Sequence, residues 1–399
     1  MQFPARYADL PEYAFPRLRR LLSDHPPGGP EIAMSLGEPQ HAVPDFVGPI
    51  MLEHQAKLSK YPPNESIPEL REAISDWLAS RYSVGDGYRD PETQIFPLNG
   101  TREGLYAACV SLCPETKNGQ RPAVLLPNPF YQCYTVAAVT AGAEPVYLPC
   151  TAETGHLPDF SNLPKDLLDR TTIAYICSPA NPQGVCADRT YWKNLLELAE
   201  KHDFRVFADE CYSEIYRNDP PVGALQVASE IGADPERLVC FHSLSKRSNL
   251  AGLRSGFAVT GPENRKRMLQ MRSYVGAPLP IPAQIAAAAC WRDEDHVIEN
   301  RRLYQDKYRI ADDILSNMPG YSSPDAGFFL WLQIGDGEAT ALKLWREAGI
   351  RALPGEYLSR PVDAAFGGGN PGADYVRLAM VAPAADVRRG LEAVREVLR

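Results

Sequence analysis

The sequence predicts an α/β protein in which helices cover a mostly parallel sheet. Short β-rich segments alternate with segments of helical period between residues 122 and 260, which is the pattern of consecutive strand–helix–strand units. Six segments are candidate strands: AVLLP, EPVYLP, TIAYIC, FRVFAD, RLVCFHS and SGFAVT. Ligands of such sheets bind at the loops that follow the strands. We therefore expect a site at the loops SPANPQG, DECYSE and SLSKRS and at the turn before REGLYAACVSL.

Segments on either side of this core predict further elements. Before it, ESIPELREAISDWLASRY predicts a helix with Ser66 and Glu69 in the positions of a capping box. After it, the proline-rich GAPLPIPAQ marks the end of the sheet domain. The remaining chain predicts a long helix around NRRLYQDKYRIADDILSNM, the strands GFFLWLQI and DYVRLAMV, and the closing helix ADVRRGLEAVREVLR. Residues 1–40 and 281–399 are expected to form a smaller α+β domain beside a large domain of residues 41–280.

Composition and charge exclude several classes of protein. The 399 residues are 44% hydrophobic and 23% charged, as in ordinary globular domains. The net charge is -9 and the 41 basic residues are scattered, which argues against nucleic acid or an anionic membrane as a partner. No apolar run approaches the roughly 20 residues that cross a bilayer, and the first residues lack the apolar core of a secretory signal. We therefore expect a cytoplasmic protein.

Cysteine and histidine usage gives no metal signature. The nine cysteines lack CxxC spacing, and the seven histidines form no HxH or HxxxH pair. Buried thiols are therefore favoured over disulfides or zinc ligands, and no metal is expected.

The segment HSLSKRSNLAGLRSGF carries a single lysine, Lys246, among groups that suit a phosphate. A lysine at the edge of a sheet is ordinarily a solvated charge. Ser243, Ser245 and Arg254 nevertheless surround it in sequence, and hydroxyl and guanidinium groups bind phosphate well. Burial and nearby cations also lower the pKa of an amine, which then becomes a neutral nucleophile.

The other loops allow simpler interpretations. Gly100 and Thr101 precede a helix, whose first turn is either an anion site or a plain capped terminus. Asp209 is a helix cap, a metal ligand or the partner of a buried cation, and the loop around Asn181 is first of all a rigid turn.

Together, six segments resemble the class I and II aminotransferases, which are fold type I enzymes that use pyridoxal 5'-phosphate. In chain order they are NGTREGL, NPFYQCY, NPQG, ADECYSEIY, SLSKRSNLAGLRSGF and YVRLAM. Each motif alone is weak, but six in the family's order and spacing are specific. The resemblance covers nearly the whole chain. It implies a large domain with a mostly parallel seven-stranded sheet sandwiched by helices, plus a smaller α+β domain.

The resemblance also implies roles for individual residues. Lys246 is implied to bind the cofactor covalently and to move a proton between the substrate Cα and the cofactor. Asp209 is implied to pair with the pyridine nitrogen, Tyr212 and Asn181 to hydrogen-bond the ring's phenolic oxygen, and Tyr131 to stack on the ring. The implied phosphate ligands are Gly100, Thr101, Arg102, Ser243, Ser245 and Arg254.

On the substrate side, Arg377 is implied to bind the α-carboxylate, with Asn181 and Gly37 close to the substrate. Tyr61 matches a tyrosine that reaches the phosphate of the neighbouring subunit, which implies a homodimer with shared active sites. Ser66 stands where the family pattern has glycine. That departure removes no group that the chemistry needs.

Four segments resemble the N-succinyldiaminopimelate aminotransferases within this family: LPEYAFPRLRRLL, LGEPQHAVPDF, SKRSNLAGLRSGF and LPGEYLSRPVDAAFGGGNPGADYVRLAMV. The implied reaction transfers an amino group from N-succinyl-LL-2,6-diaminopimelate to 2-oxoglutarate by a ping-pong route, in the biosynthesis of lysine and diaminopimelate. Both substrates carry an additional carboxylate, so a cation besides Arg377 is expected.

Alternative functions remain open from the sequence. They are an aminotransferase for aspartate, alanine or aromatic amino acids, and a cofactor-dependent C–S β-lyase. A cofactor-sensing regulator is disfavoured, because the family core begins within the first forty residues and the net charge is acidic. The glycines 367–369 of FGGGNPG are expected to form a mobile surface loop, and the alternative is a lid that orders over a long substrate.

Overall fold

The computed structural model of this chain describes residues 4–399. The described residues form the strands β1 (Ile32–Ala33), β2 (Ile95–Leu98), β3 (Ala123–Asn128), β4 (Glu144–Pro149), β5 (Thr171–Cys177), β6 (Arg205–Asp209), β7 (Leu238–Ser243), β8 (Gly256–Thr260), β9 (Phe329–Gln333), β10 (Ile350–Arg351), β11 (Leu353–Pro354) and β12 (Tyr375–Ala379). The helices are α1 (Ala14–Ser23), α2 (Val47–Glu53), α3 (Pro68–Tyr82), α4 (Thr101–Leu112), α5 (Gln132–Thr140), α6 (Lys165–Arg170), α7 (Arg189–His202), α8 (Ala224–Ile231), α9 (Leu244–Arg247), α10 (Pro262–Val275), α11 (Ile281–Arg292), α12 (Asp295–Leu315), α13 (Gly337–Ala348) and α14 (Ala384–Val397).

Seven of these strands form one sheet in the order β2-β8-β7-β6-β5-β3-β4. Neighbours from β7 to β4 pair in parallel, and β8 is antiparallel to both β7 and β2. All six strands predicted from the sequence are present, and the predicted fold class is confirmed. They were recognisable because strands buried on both faces, such as β3, β5 and β7, are continuous apolar runs. The four-residue β2 escaped prediction because it is short and contains Pro97.

Helices cover both faces of this sheet. Trp77 of α3, Trp192 of α7 and Trp291 of α11 belong to the apolar cluster on one face. Leu105 of α4 and Tyr134 of α5 belong to the cluster on the other. The loops at the carboxyl edge of the parallel strands are left free for a site.

A second, antiparallel sheet in the order β11-β12-β9 packs with α12, α13 and α14. The sequence predicted β9, β12 and the helices α12 and α14, but not α13, β10 or β11. The short β1 pairs in parallel with β10, with Ile32 opposite Ile350. Residues near the beginning of the chain thereby join the C-terminal part.

The predicted capping box at α3 is wrong. The helix begins at Pro68, its N-cap is Ile67, and no side chain caps it. Ser66 instead adopts a left-handed conformation with φ of 72°, in which glycine is the usual residue. Its carbonyl accepts a hydrogen bond of 2.6 Å from Nη1 of the buried Arg71. The local geometry therefore accounts for the glycine that the family pattern has at this position.

The glycine-rich turn at residues 367–369 closes on itself through main-chain hydrogen bonds. Val362 N donates to Gly369 O at 2.8 Å, and Gly368 N donates to Asp363 O at 3.1 Å. All three glycines have positive φ, between 66° and 95°.

Residues 4–399 show neither a membrane-spanning helix nor a cluster of metal ligands. No helix among them combines the length and the apolar composition needed to cross a membrane. No three of their His, Cys, Asp and Glu side chains come together as metal ligands. All nine cysteines carry free thiols, and five of these residues are buried.

Candidate active site

A cavity of about 390 Å³ opens at the carboxyl edge of the large sheet. Its lining includes Asn181 from the loop after β5, Asp209 at the end of β6, Lys246 in the short helix after β7 and Thr101 at the start of α4. This is the edge at which open α/β sheets bind ligands. Four loops separated in sequence therefore meet around one cavity, as predicted.

Lys246 lies on α9, a helix of one turn directly after β7. The Oγ of Ser243 caps this helix by accepting a hydrogen bond of 3.1 Å from Ser245 N. The lysine amine donates to Gly37 O at 2.5 Å and lies 5.2 Å from the centroid of the Phe328 ring. Burial lowers the pKa of Lys246 to about 8, and the nearby guanidinium groups add to this effect, against Cys211 and Glu38. A substantial fraction of this amine is therefore neutral near pH 8.

Asp209, the last residue of β6, is a buried carboxylate held by neutral donors. It accepts hydrogen bonds from the Tyr134 hydroxyl at 2.7 Å and from Cys211 N at 3.3 Å. Burial raises its pKa, while these hydrogen bonds act in the opposite direction. A carboxylate in such a setting gains most from a bound cation, for example a protonated ring nitrogen.

Arg377, Asn181 and Tyr212 form a chain of contacts across the cavity. The Asn181 amide donates to the Tyr212 hydroxyl at 3.4 Å and accepts from Arg377 Nη1 at 3.0 Å. Arg377 Nη2 donates to Ser35 O at 2.6 Å, and its Nε has no partner among the described residues. Burial lowers the pKa of Arg377 to about 10. A buried guanidinium whose contacts are neutral oxygens is suited to a carboxylate ligand.

Donors for an anion converge at the beginning of α4. Gly100 has φ of 80°, and a Cβ atom there would overlap the guanidinium of Arg254, so these residues are in close contact. Thr101, Ser243, Ser245 and Arg254 line the cavity beside them. Helix-terminal N–H groups combined with hydroxyl and guanidinium donors make a phosphate cradle.

Arg102 and Tyr131 line the cavity together. The Tyr131 hydroxyl accepts a hydrogen bond from Arg102 Nε, and the guanidinium lies 5.8 Å from the centroid of the tyrosine ring. This contact orients the ring, and its predicted stacking on a cofactor stays a prediction.

Gly37 also lines the cavity, where a Cβ atom would overlap the ring of Phe329. Two predicted site residues are absent from this lining: Gly100, which contacts the lining residue Arg254, and Tyr61, which lies elsewhere. Its side chain is fully exposed and is absent from the cavity lining.

Several residues of the site were missed in the sequence. Tyr134 lies three positions after Tyr131 in NPFYQCY, and only the fold shows that it contacts Asp209. Gln183 belongs to NPQG, and His156 lies in the loop after β4. Both could have been predicted, because ligands of such sheets bind at the loops that follow the strands. Tyr13 and Phe15, which also line the cavity, come from the start of the chain and gave no signal.

These side chains around one cavity fit the carbonyl, ring nitrogen and phosphate of pyridoxal phosphate and the carboxylate of an amino acid. The chain belongs to the aminotransferase class I and II family, whose model matches residues 31–394. Members of this family use pyridoxal 5'-phosphate as their cofactor.

Similar proteins agree with this assignment. The chain is 29% identical to an LL-diaminopimelate aminotransferase of Dehalococcoides mccartyi, over 98% of this chain and 97% of the relative. A crystal structure of an aminotransferase from Neisseria meningitidis is similar over 100% of both chains, with 37% identity and a TM-score of 0.93. A probable N-succinyldiaminopimelate aminotransferase from Thermus thermophilus shares the fold, with a TM-score of 0.81 at 23% identity, over 96% of this chain and 98% of that one.

Proposed function

We propose that this aminotransferase transfers the amino group of N-succinyl-LL-2,6-diaminopimelate to 2-oxoglutarate. The observation that carries the proposal is a set of three ionisable groups in one cavity. Lys246, Asp209 and Arg377 each make their hydrogen bonds to neutral groups among the described residues. They match a carbonyl to be bound covalently, a ring nitrogen and a substrate α-carboxylate.

The bound cofactor would supply an electron sink for the negative charge that develops at the substrate Cα. Lys246 would hold the cofactor and then carry the proton to and from that Cα, for which its lowered pKa is suitable. Asp209 would keep a proton on the ring nitrogen. Tyr212 and Asn181 would orient the ring through its phenolic oxygen.

The cradle at α4 would hold the phosphate through Gly100, Thr101, Arg102, Ser243, Ser245 and Arg254. Tyr61 would complete it from the other subunit of a homodimer. The exposure of Tyr61, together with that of Leu52 and Leu58, supports such an assembly, since exposed apolar side chains in one region favour a protein contact.

Two residues of the cavity lining carry a side-chain nitrogen without a hydrogen-bond partner, which supports an acylated donor. Among the described residues, Gln183 Nε2 and His156 Nδ1 are buried and have no hydrogen-bond partner. Both residues line the cavity. The Gln183 amide nitrogen is a neutral donor that suits the amide oxygen or the carboxylate of a succinyl group, and such a donor costs free energy when it is left unpaired.

LL-diaminopimelate itself is the second candidate, because curated relatives carry that activity in their names. Glu38 is an exposed carboxylate in the cavity lining, and it suits the distal ammonium group of that donor.

A screen of amino donors tests the proposal. Purified protein with its cofactor is mixed separately with N-succinyl-LL-diaminopimelate, LL-diaminopimelate, aspartate, alanine and an aromatic amino acid, and amination of the cofactor is followed by absorbance. We expect kcat/KM for the succinylated donor to exceed the others by about tenfold or more. Higher kcat/KM for LL-diaminopimelate would replace the proposed donor. A separate assay with an amino acid that carries a β-thioether tests for a lyase, which would release pyruvate and ammonia over many turnovers without an oxo acid.

The substitution Gln183→Leu refines this screen. It introduces an apolar side chain of similar size and removes the unpaired amide, so we expect kcat/KM to fall about fivefold or more for the succinylated donor. Aspartate, which is too short to present a succinyl group, serves as the internal control. Equal losses for both donors would contradict a role in recognising the acyl end.

A further inference from the structure

The helix that carries Lys246 is held from behind by Asn300 of α12. The amide Nδ2 of Asn300 donates to the carbonyl oxygens of Lys246 at 3.2 Å and of Arg247 at 3.3 Å. Asn300 is buried. A helix of one turn has almost no internal hydrogen bonds to fix its position, so α9 depends on contacts of this kind.

The contacts around Asn300 determine which group donates and which accepts in each hydrogen bond of Asn300 and His41. Main-chain carbonyls only accept, so Nδ2 faces them and Oδ1 faces the other way. Oδ1 then accepts from His41 Nδ1 at 2.8 Å and from Asn249 Nδ2 at 3.1 Å. The proton of the neutral His41 ring is therefore on Nδ1, and its Nε2 accepts from the Lys307 amine at 2.7 Å.

Among the described residues, the network of Asn300, His41, Asn249 and Lys307 contains no carboxylate, and the acidic group that bonds to α9 is Glu294, which pairs with Arg247. Lys307 is buried, and its second partner is the carbonyl of Val381 at 3.2 Å. Burial lowers the pKa of Lys307 to about 7 and also lowers the pKa of His41. The ring of Tyr304 packs on His41 with centroids 4.6 Å apart. The charge of Glu299 acts in the opposite direction to burial and raises the pKa of His41. A carboxylate hydrogen-bonded behind α9 would instead favour protonation of the Lys246 amine.

The same network binds the segment that touches the Lys246 amine. Gly37 accepts a hydrogen bond from that amine, and His41 lies four residues later. Asn249 also donates to Ala42 O at 3.3 Å. The main chain and the amine of Lys246 are thus fixed against one segment, residues 37–42.

We propose that Asn300 is a positioning residue for Lys246, and that His41 and Lys307 hold its amide in the one orientation that serves this purpose. The inference rests on the proposed covalent and proton-carrying role of Lys246. A displacement of about 1 Å at a reacting group costs on the order of a hundredfold in rate. Asn300 therefore acts on turnover through the placement of the amine, and it leaves the binding of the substrate carboxylate at Arg377 intact.

The test uses Asn300→Asp in the full chain with its cofactor. This change keeps Oδ1 for His41 and Asn249 and puts an oxygen in place of Nδ2, against the two carbonyls. We expect kcat to fall about tenfold or more while KM stays within about twofold. The new negative charge should also raise the pH midpoint of the cofactor's visible absorption band by about half a unit or more.

Asn264→Asp is the matched control. Asn264 is equally buried, and its Nδ2 donates to Glu236 O at 2.8 Å and to Thr260 Oγ1 at 3.0 Å, away from the cavity. It should lower the melting temperature without changing the absorption midpoint or kcat. Equal behaviour of the two variants in all three measurements would overturn the proposal.

If the Asn300→Asp variant does not fold, the Lys307→Met variant tests the same proposal. It leaves Asn300 in place and removes the donor that fixes the His41 ring, so kcat should fall about threefold with KM unchanged. A wild-type kcat in this variant would overturn the proposal. Borohydride reduction of the wild type separates the two hypotheses: absence of an adduct on Lys246 rejects both, whereas an adduct together with variants that match their control rejects only the role of Asn300.

Discussion

At the scale of single residues, the pKa of Lys246 decides when the protein accepts its cofactor. Only a neutral amine attacks a carbonyl, and burial lowers the pKa of Lys246 from 10.5 to about 8. The neutral fraction rises with pH through that value. We therefore expect the rate of covalent cofactor attachment to the cofactor-free protein to increase with pH, with a midpoint near 8. Stopped-flow absorbance between pH 6 and 10 measures this rate, and the Lys246→Ala variant serves as the blank. A rate that still rises steeply above pH 9.5 would contradict the lowered pKa.

Asp209 and Glu210 are adjacent carboxylates with different surroundings. Asp209 lines the cavity, whereas Glu210 accepts from Ala224 N at 2.7 Å and from the Tyr82 hydroxyl at 3.1 Å on the opposite face of the sheet. Asp209→Asn should retain bound cofactor and lower kcat by about a hundredfold or more, because an amide cannot hold the ring nitrogen protonated.

Glu210→Gln is the control for this prediction. Burial raises the pKa of Glu210 to about 7, so a neutral amide resembles a form that is already populated, and kcat should stay within about threefold. Single-turnover kinetics with matched cofactor content measure both variants. Similar losses in the two would remove Asp209 from its proposed role.

Chemistry-bearing residues could be predicted where they follow a recognisable strand. Asn181, Asp209 and Lys246 each lie at or just after the end of a strand, and the family's motifs imply their roles. Tyr134 and Asn300 could not be found in this way. Both residues lie on helices. Tyr134 acts through a contact with Asp209, 75 positions away, and Asn300 through a contact with Lys246, 54 positions away.

At the scale of elements, the beginning of α4 is shaped by Gly100. Its φ of 80° is unfavourable for other residues, and any side chain there would overlap Arg254. Gly100→Ala should therefore destabilise the fold by about 1 kcal/mol and also weaken cofactor binding about tenfold or more by displacing a phosphate ligand.

Gly119→Ala separates these two effects. Gly119 has φ of 74°, and a Cβ atom there would meet nothing within 4 Å. It should show the loss of stability alone, measured by urea unfolding, with an unchanged Kd for pyridoxal phosphate by fluorescence titration. A normal Kd in Gly100→Ala would contradict the cradle.

Elements were predictable where burial leaves a strong pattern. The central strands contain uninterrupted apolar runs such as IAYIC in β5, and α7 carries its buried apolar residues on one face. The two-residue strands β10 and β11 are too short for any period to appear. Their pairing with β1 and β12 depends on contacts across more than twenty positions.

At the scale of the whole molecule, the order of the seven strands could not be derived from the alternation of strands and helices alone. Consecutive segments indicate parallel crossovers, but β2 pairs with β8 across about 160 positions of chain. The resemblance to the family supplied the sheet of seven strands that the residues alone did not predict. The same resemblance is the source of the prediction that two subunits share each active site.

A shared active site predicts that Tyr61 acts in the neighbouring subunit and not in its own. Tyr61 is fully exposed and outside the cavity, so in the proposed homodimer it serves the phosphate of the other subunit. Tyr61→Ala and Lys246→Ala should each be nearly inactive by themselves. In a mixed dimer, the subunit with intact Lys246 receives Tyr61 from its neighbour, and random reassociation should restore about a quarter of the sites. Sedimentation confirms the dimer, and activity after co-refolding measures complementation. If Tyr61 acted within its own subunit, the subunit with intact Lys246 would still lack the tyrosine, and mixing the two variants would restore nothing.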